Sequence, residues 1–397
     1  MSRTKNRLAF VAAIVSLAVL ATACGSSKSS TSAAPTTAAA AAGASTTAAA
    51  GGASTTQPAG SAAATTAAAG ATAAAAPTAD LKASLQASGS TLQKAYEDEA
   101  IIAFTGKNKG VAIVYAGGGS GKGRTDLSTK TVDFAGSDSP YKDEDLAKNQ
   151  GGDVLYFPIL LGPITVSYNL GGVDKLQLSA PTIAKIFSRT IKTWDDAAIA
   201  ADNPGVKLPA TAITVVHRSD GSGTTDNFTK FLVAGGGADW TLKSGSTVEW
   251  PADTTAGNGN AGVAQAVKAT DGAIGYVDLS DAVAGDLKFA SVKNKAGKVV
   301  EPTSQAGSAA GDGVTVKDNL TFSSVWADGD AAYPITAPSW IIVYAKQTDA
   351  AKAAALKAYV KYLLTDGQKT LKDLDYAPLP ASLQAKAVAQ LDKIVAG

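Results

Sequence analysis

The feature that most limits the fold of this 397-residue chain is a long segment that lacks core-forming side chains. Residues 25–79 contain only Gly, Ala, Ser, Thr, Pro, Gln and a single charged residue, Lys28. With no aromatic or branched aliphatic side chain to bury, the segment cannot offset the entropy lost on ordering. Thr, Gly, Ser and Pro also interrupt every alanine run that would otherwise favour a helix. We interpret residues 25–79 as a disordered tether, so the folded body begins near Asp80.

The residues before the tether have the pattern of a bacterial export signal. Three basic residues lie within the first seven, and residues 8–20 form an apolar run too short to span a bilayer as a helix. The only cysteine, Cys24, follows small residues at the end of this signal and resembles a lipoprotein cleavage site. We expect removal of residues 1–23 and lipidation of Cys24, which would anchor the chain to the outer face of the cytoplasmic membrane. Ordinary cleavage within the same small residues is the alternative.

The charge balance and the rare residue types exclude several function classes. The chain has 35 Lys and Arg against 34 Asp and Glu, and removing the three basic residues of the signal leaves 32 against 34, a net charge of −2. Nucleic-acid binders usually show a basic excess, so this balance argues against them. One Cys and one His exclude an intramolecular disulfide and zinc sites built from His and Cys. We expect a monomer without metal or cofactor.

From Asp80 onward, predicted strands alternate with predicted helices. The predicted strands are 111–115, 132–134, 155–168, 213–217, 273–277 and 340–344, and Pro158 and Pro163 interrupt the third. The predicted helices are 92–104, 143–148, 181–187, 225–232, 261–268, 352–364 and 381–395. This alternation is typical of α/β sheets, and a body of this size favours two lobes. The prolines indicate a strand edge, a strand end or a crossover.

Four short segments rich in Gly, Ser and Thr each lead from a predicted strand end into a helix start. They are residues 89–92 (GSTL), 118–121 (GGSG), 137–139 (SDS) and 217–224 (HRSDGSGT). In open α/β sheets, ligands bind at the carboxyl ends of the strands. Helix N-termini there offer free N–H groups and a positive dipole end, which suit an oxyanion. Together the segments indicate an oxyanion site, although each alone also fits an ordinary helix cap.

Two charged residues in these segments narrow the choice of oxyanion ligand. Arg218 is the one arginine among them, and its guanidinium matches two oxygens of a tetrahedral anion. The carboxylate of Asp138 is favourable in such a site only if the ligand carries a proton for it to accept. Phosphate carries a proton near neutral pH and sulfate does not, so Asp138 favours phosphate. Capping of the helix predicted at 143–148 is the alternative role for Asp138.

These segments and their surroundings resemble the PstS-type phosphate-binding proteins of phosphate ABC transporters. The matching stretches include VYAGGGSGKG (114–123), TVDFAGSDSP (131–140), FPILLGPITVSYNL (157–170), VVHRSDGSGTTDNF (215–228), GNGNAGVAQAVKATDGAIGYVD (257–278) and LDYAPLP (374–380). The resemblance implies a two-lobed α/β fold of the type II periplasmic-binding-protein kind. Phosphate would lie in the cleft between lobe I (80–160 plus 337–397) and lobe II (161–336), and a membrane permease would receive it.

The resemblance also implies roles for residues that match the family motifs. The phosphate contacts would be Thr91, the backbone N–H of Leu92, Ser120, Asp138, Arg218, Ser222, Gly223 and Thr224. Asp138 would accept the ligand's proton, and Asp220 would hold the Arg218 guanidinium. The chain departs from the family at Leu92, where Phe is common, at Lys122, where a small residue is usual, and in the order Ala135-Gly136. None of these departures removes a contact atom.

Other functions are weaker interpretations of the same residues. Residues 116–123 approach a nucleotide-binding P-loop but lack its first Gly and its final Ser or Thr. His217 lies near Ser222, but the Gly-x-Ser-x-Gly elbow of a serine hydrolase is missing. A surface phosphohydrolase using the same oxyanion site, and a binding protein for sulfate or molybdate, stay open as alternatives.

Overall fold

The computed structural model describes residues 80–397, so the signal, Cys24 and the tether lie outside the described residues. The strands are β1 (Ala83–Gly89), β2 (Val111–Gly118), β3 (Phe134–Ser137), β4 (Val154–Asn169), β5 (Gln177–Leu178), β6 (Thr214–Arg218), β7 (Thr255–Gly257), β8 (Ala273–Asp278), β9 (Lys288–Lys293), β10 (Val299–Val300), β11 (Thr336–Tyr344), β12 (Lys346–Gln347) and β13 (Val395–Ala396). The helices are α1 (Lys94–Lys107), α2 (Gly119–Ser128), α3 (Asp143–Leu146), α4 (Ala180–Phe187), α5 (Ala197–Asp202), α6 (Gly223–Gly236), α7 (Gly259–Ala269), α8 (Leu279–Ala284), α9 (Ser304–Gly311), α10 (Ala350–Leu364) and α11 (Ala381–Gln390). The predicted alternation of strands and helices is confirmed.

Most strands belong to one continuous mixed sheet in the order β2-β1-β3-β11-β4-β8-β6-β7. At one end, β1 pairs in parallel with β2 and β3; at the other, β6 pairs in parallel with β7 and β8. Between these parallel groups, β11 runs antiparallel to β3 and β4, and β4 runs antiparallel to β8. Helix α2 follows the carboxyl end of β2 directly, and α6 follows that of β6 after the short segment 219–222. Both helix N-termini therefore lie at carboxyl ends of strands, where ligands bind in open sheets.

The longest strand, β4, is shared by the two halves of the sheet. Its residues 154–163 pair with β11, and its residues 164–169 pair with β8. Pro158 lies at a register shift, and Pro163 is the last residue paired with β11. Because proline donates no ladder hydrogen bond, both prolines stand where the pairing changes. Of the roles that the sequence allowed, Pro163 has that of a crossover between the two pairings, whereas Pro158 marks a bulge inside one ladder.

Strands β4 and β11 form the centre of the core. All of β11 is buried, and so are residues 156–168 of β4. Near-continuous apolar runs of this kind are typical of strands covered on both faces. Trp194 and Trp340 are among the largest fully buried side chains. Among the helices of residues 80–397, none has the length and apolar character needed to cross a membrane.

Two predicted helices have different ends in the structure. The helix predicted from Leu92 begins at Lys94, because Ser90 does not cap it and its hydroxyl instead accepts the Leu92 N–H at 3.0 Å and donates to Asp138. The helix predicted over 381–395 ends at Gln390, and a short 3₁₀ turn leads into β13. The first difference concerns the candidate site, because Ser90 contacts Asp138 there and does not cap α1.

Candidate functional site

The four Gly- and Ser-rich segments meet at the carboxyl ends of β1, β2, β3 and β6. Asp138, directly after β3, accepts hydrogen bonds from Ser90 after β1 and Ser120 at the start of α2. The segment after β6 reaches the same place, because the backbone N–H of Gly121 donates to the carbonyl of Gly221 at 2.8 Å. The structure therefore brings together the segments that the sequence singled out.

The Asp138 carboxylate is the centre of the site and is only 2% exposed. Its Oδ1 accepts from the hydroxyls of Ser339 and Ser90, both at 2.6 Å, and its Oδ2 accepts from Ser90 at 2.7 Å and Ser120 at 3.2 Å. Burial raises the pKa of Asp138 above its usual value, while these hydroxyls and the charge of Arg218 act in the opposite direction. The predicted capping alternative is wrong, because α3 has Lys142 at its N-cap and no side-chain cap.

Arg218 ends β6 and is held by two neighbours. Its Nε donates to Asp220 Oδ1 at 2.8 Å, its Nη2 pairs with Asp220 Oδ2, and its Nη1 donates to Asn260 Oδ1 at 2.7 Å. Burial opposes ionisation of Asp220, but the hydrogen bonds and charge of Arg218 leave its pKa below the usual value. Arginine has five N–H groups. The contacts to Asp220 and Asn260 use three of them, and Nη1 also donates a longer bond to Thr224 Oγ1 at 3.4 Å, so one N–H group on Nη2 is left free.

The N-terminus of α6 supplies the other half of the site. Ser222 is its N-cap and accepts the Thr225 N–H at 3.0 Å, so Gly223 and Thr224 form the first turn of a 14-residue helix. Gly223 has no room for a larger residue, since a Cβ there would lie 2.5 Å from Ser120 Oγ and 2.7 Å from Asp138 Cβ. The helix N-terminus therefore approaches the Asp138 loop with backbone alone.

Hydrogen bonds join the two sides of the site directly. The Asn260 N–H donates to Thr91 Oγ1 at 3.2 Å, and Asn227 Nδ2 donates to the Asp138 carbonyl at 2.7 Å. Leu92 is fully buried and its N–H lies in the same loop as Thr91. All eight predicted contact residues and Asp220 thus belong to one buried or half-buried cluster: Thr91, Leu92, Ser120, Asp138, Arg218, Asp220, Ser222, Gly223 and Thr224.

Three polar residues that contact this cluster have no role in the sequence prediction. Ser90 lies inside the segment 89–92, of which only Thr91 and Leu92 are predicted contacts. Asn260 lies in a matched stretch, GNGNAG, and no pattern distinguished it as the residue that orients Arg218. Ser339 comes from β11, and no local motif marks it.

Lys122 does not belong to the site. Its Nζ pairs with Asp126 Oδ2 at 2.5 Å, one turn along α2, and its side chain is half exposed. His217 also has a structural contact, since its ring stacks on Trp250 with centroids 5.0 Å apart and its Nδ1 lies 3.0 Å from the Arg218 carbonyl. Within residues 80–397, no group of three or more His, Cys, Asp or Glu side chains is placed to hold a metal ion.

Comparison with known proteins gives the class of this fold. A family model described as a PBP superfamily domain matches residues 30–367. Among solved structures, a high-affinity periplasmic phosphate-binding protein, PfluDING, bound with phosphate, superposes with a TM-score of 0.66 at 24% identity, covering 78% of this chain and 94% of that one. The fold is therefore the type II periplasmic-binding-protein fold, as the sequence predicted.

Curated relatives narrow the class to a family. The phosphate-binding protein PstS of Xylella fastidiosa (strain Temecula1 / ATCC 700964) is 39% identical over 282 residues, which cover 69% of this chain and 76% of the relative. The phosphate-binding protein PstS 2 of Mycobacterium tuberculosis (strain ATCC 25618 / H37Rv) is 35% identical over 325 residues, covering 79% and 88%. The chain belongs to the PstS family of phosphate-binding proteins.

Proposed function

We propose that this protein binds inorganic phosphate outside the cytoplasm and delivers it to an ABC-type phosphate importer. The observation that carries the proposal is one buried proton acceptor, Asp138, set among hydrogen-bond donors and beside the held guanidinium of Arg218. Its relatives are named as phosphate-binding proteins, which supports the same ligand. A membrane permease is the partner that this role requires, and a monomer suffices for it.

Each group of the cluster has a defined part in the proposed complex. Arg218 donates its free Nη2 N–H group, and the Nη1 N–H group that has the long bond to Thr224, to phosphate oxygens. The first turn of α6 adds backbone N–H groups at the positive end of the helix dipole. The hydroxyls of Thr91, Ser120, Ser222 and Thr224 complete the donor set, and the Leu92 N–H joins it by exchanging its bond to Ser90 Oγ for one to the ligand. Asp138 accepts the proton that phosphate carries. The site thus binds an anion without diffuse positive charge, in agreement with the near-neutral chain.

We propose that the ligand holds two lobes together, one formed by 80–160 plus 337–397 and the other by 161–336. The contacts across the site support this division, since Thr91 and Asn260, Asp138 and Asn227, and Gly121 and Gly221 pair residues of opposite lobes. Opening of such a cleft by hinge motion releases the ligand to the partner.

Titration of the purified protein tests the proposed ligand. We expect one phosphate bound per chain by calorimetry, with no measurable competition from sulfate near neutral pH. Sulfate would place bare oxygens against a buried carboxylate and leave both groups unpaired. Equal binding of sulfate, or no binding of phosphate, would contradict the proposal.

The same preparation separates binding from catalysis. We propose that the protein is not an enzyme, because the Ser222 hydroxyl caps α6 and His217 stacks on Trp250, so neither contacts the other. Incubation with a generic phosphomonoester is expected to release no phosphate above the level of a heat-inactivated sample. Sustained release would instead support the phosphohydrolase alternative.

Lipid on Cys24 is the proposed anchor, with residues 1–23 removed as a signal and 24–79 serving as a tether. Replacing Cys24 by Ser removes the acylated sulfur, and we expect the variant to appear in the medium while the parent protein stays with the membrane fraction. Metabolic labelling with a radioactive fatty acid checks the chemistry. A matched Ser27→Ala variant, three residues away, should keep both label and location. Label that persists in Cys24→Ser would rule out this anchor.

A further inference from the structure

A buried polar chain contacts Asp138 at Oδ1, whereas the proposed ligand donor Ser120 contacts Oδ2. It runs from Asp138 to Ser339, Gln93, Glu97 and Tyr359. Ser339 Oγ is 2.6 Å from Asp138 Oδ1 and 2.6 Å from Gln93 Oε1. Gln93 Nε2 is 3.3 Å from Glu97 Oε1, and the Tyr359 hydroxyl donates to Glu97 Oε2 at 2.7 Å. Ser339, Gln93, Glu97 and Tyr359 are all fully buried.

The sheet register aims Ser339 at Asp138. In β11, Trp340 pairs with Ser137, the last residue of β3, so Ser339 lies beside the residue that follows that strand. The pairing of β11 with β4 shifts register between Ser339 and Trp340. A bulge of this kind redirects side chains and is frequent next to binding sites. The position of Ser339 is therefore set by sheet geometry rather than by a flexible loop.

The hydroxyl of Ser339 has one proton and two acceptors within reach. Because hydrogen bonds to a charged acceptor are the stronger ones, the proton goes to the Asp138 carboxylate in preference to the Gln93 amide. A side-chain amide carries both a donor and an acceptor, so Gln93 is able to turn and donate to the same hydroxyl. Burial raises the pKa of Glu97 to about 8, so this carboxyl is mostly neutral at pH 7 and does not repel Asp138 as a second buried charge.

We propose that Ser339 is a specificity-determining positioning residue, whose hydroxyl keeps Asp138 an ionised proton acceptor while Gln93 and Glu97 hold that hydroxyl in place. The proposal rests on the proposed function, since it concerns how the site rejects anions without a proton. Ser339 does so through Asp138, at Oδ1, while Ser120 contacts Oδ2. Among the groups that lower the pKa of Asp138, the hydrogen bond from Ser339 has the largest effect.

Other titratable groups near Asp138 do not substitute for Ser339. The charged or titratable side chains that act on Asp138 are Arg218, Tyr115 and Tyr376. Burial raises the pKa of both tyrosines well above the usual value, so both are neutral over the acidic range. Burial also raises the pKa of Glu97, Asp278 and Asp281 and lowers the pKa of His217. A pH effect is therefore assigned to Asp138 only if it is lost in the Asp138→Asn variant.

Sulfate binding as a function of pH is the most direct test. Sulfate does not change its own protonation between pH 4 and 8, whereas Asp138 becomes a hydrogen-bond donor once it is protonated. Sulfate affinity should therefore rise on acidification, with a midpoint at the pKa of Asp138. Ser339→Ala removes one donor from the ionised carboxylate, and we expect the midpoint to move up by about one to two pH units. Ser339→Thr keeps the hydroxyl and is expected to restore the parent midpoint.

Two controls keep the test decisive. Ser324→Ala removes another buried serine hydroxyl, which donates to the Thr336 carbonyl at 2.8 Å and does not contact the cluster, so its midpoint should equal that of the parent. Thermal unfolding verifies that each variant is folded. A midpoint in Ser339→Ala within about 0.3 pH units of the parent, in a protein that still binds phosphate, would overturn the role of Ser339 alone. A parent protein that binds neither anion would overturn the proposed function instead.

Discussion

Arg218→Ala is expected to lower phosphate affinity by about 100-fold or more. One N–H group of Arg218 is free for the ligand and a second has only the long bond to Thr224, and hydrogen bonds to charged groups contribute about 1.5–3 kcal/mol each. Their loss therefore corresponds to about 100- to 10,000-fold in the dissociation constant. Calorimetric titration with phosphate at neutral pH measures the effect. The loss is in binding and not in the fold, provided that the unfolding transition of the variant stays cooperative.

Two further variants identify the cause of that loss. Arg218→Lys keeps the charge but cannot form the paired contacts to Asp220 and the ligand, so its affinity should lie between those of the parent and Arg218→Ala. Arg189→Ala removes an arginine that pairs with Asp253 outside the cluster, and it should leave phosphate affinity unchanged. Near-parental affinity in Arg218→Ala would refute the site.

Asp138→Asn is expected to reduce the preference for phosphate over sulfate by about 100-fold or more. The carboxylate accepts the ligand's proton, whereas the amide that replaces it presents a donor to an unprotonated oxygen. Phosphate affinity should fall and sulfate affinity should rise, so the two effects combine in the ratio. Competition of sulfate against bound phosphate at neutral pH measures that ratio.

Asp138→Asn removes both a negative charge and a proton acceptor. A matched variant that removes only a charge separates these two causes. Asp174→Asn removes one negative charge from an exposed carboxylate that pairs with Lys288. Its ratio of phosphate to sulfate affinity should equal that of the parent, because an exposed charge at a distance is screened. If sulfate stays fully excluded from Asp138→Asn, then proton acceptance is not the basis of selectivity.

The sequence predicts those parts of the candidate site whose residues belong to short local motifs. Ser120 begins a helix after a glycine cluster, and Arg218 with Ser222 lies in one continuous segment, so short-range patterns identify them. The fold class follows from the alternation of strand and helix patterns in the same way. These features depend on residues that are close together in the sequence, so the sequence alone is enough to predict them.

The parts that the sequence does not predict depend on sheet order. Ser339 reaches Asp138 only because β11 lies between β3 and β4, although 201 positions separate the two residues. Asn260 reaches Arg218 from the start of α7 for a similar reason. The sequence also predicts the start of α1 two residues too early, at Leu92. Ser90 does not cap the helix because its hydroxyl donates to the distant Asp138. Tertiary contacts of this kind leave no periodic signal.

The shared strand β4 bears on two separate properties of a binding protein, the strength with which it holds its ligand and the ease with which it releases it. The proposed phosphate contacts lie in the loops at the strand ends, whereas the chain passes between the halves of the sheet at Pro163, where the ladder lacks one N–H donor. If the proposed lobes turn at that point, there is one main-chain hydrogen bond fewer to break. Under this proposal, different residues set how tightly the anion is held and how readily it is released, so the release rate can change without a change in selectivity.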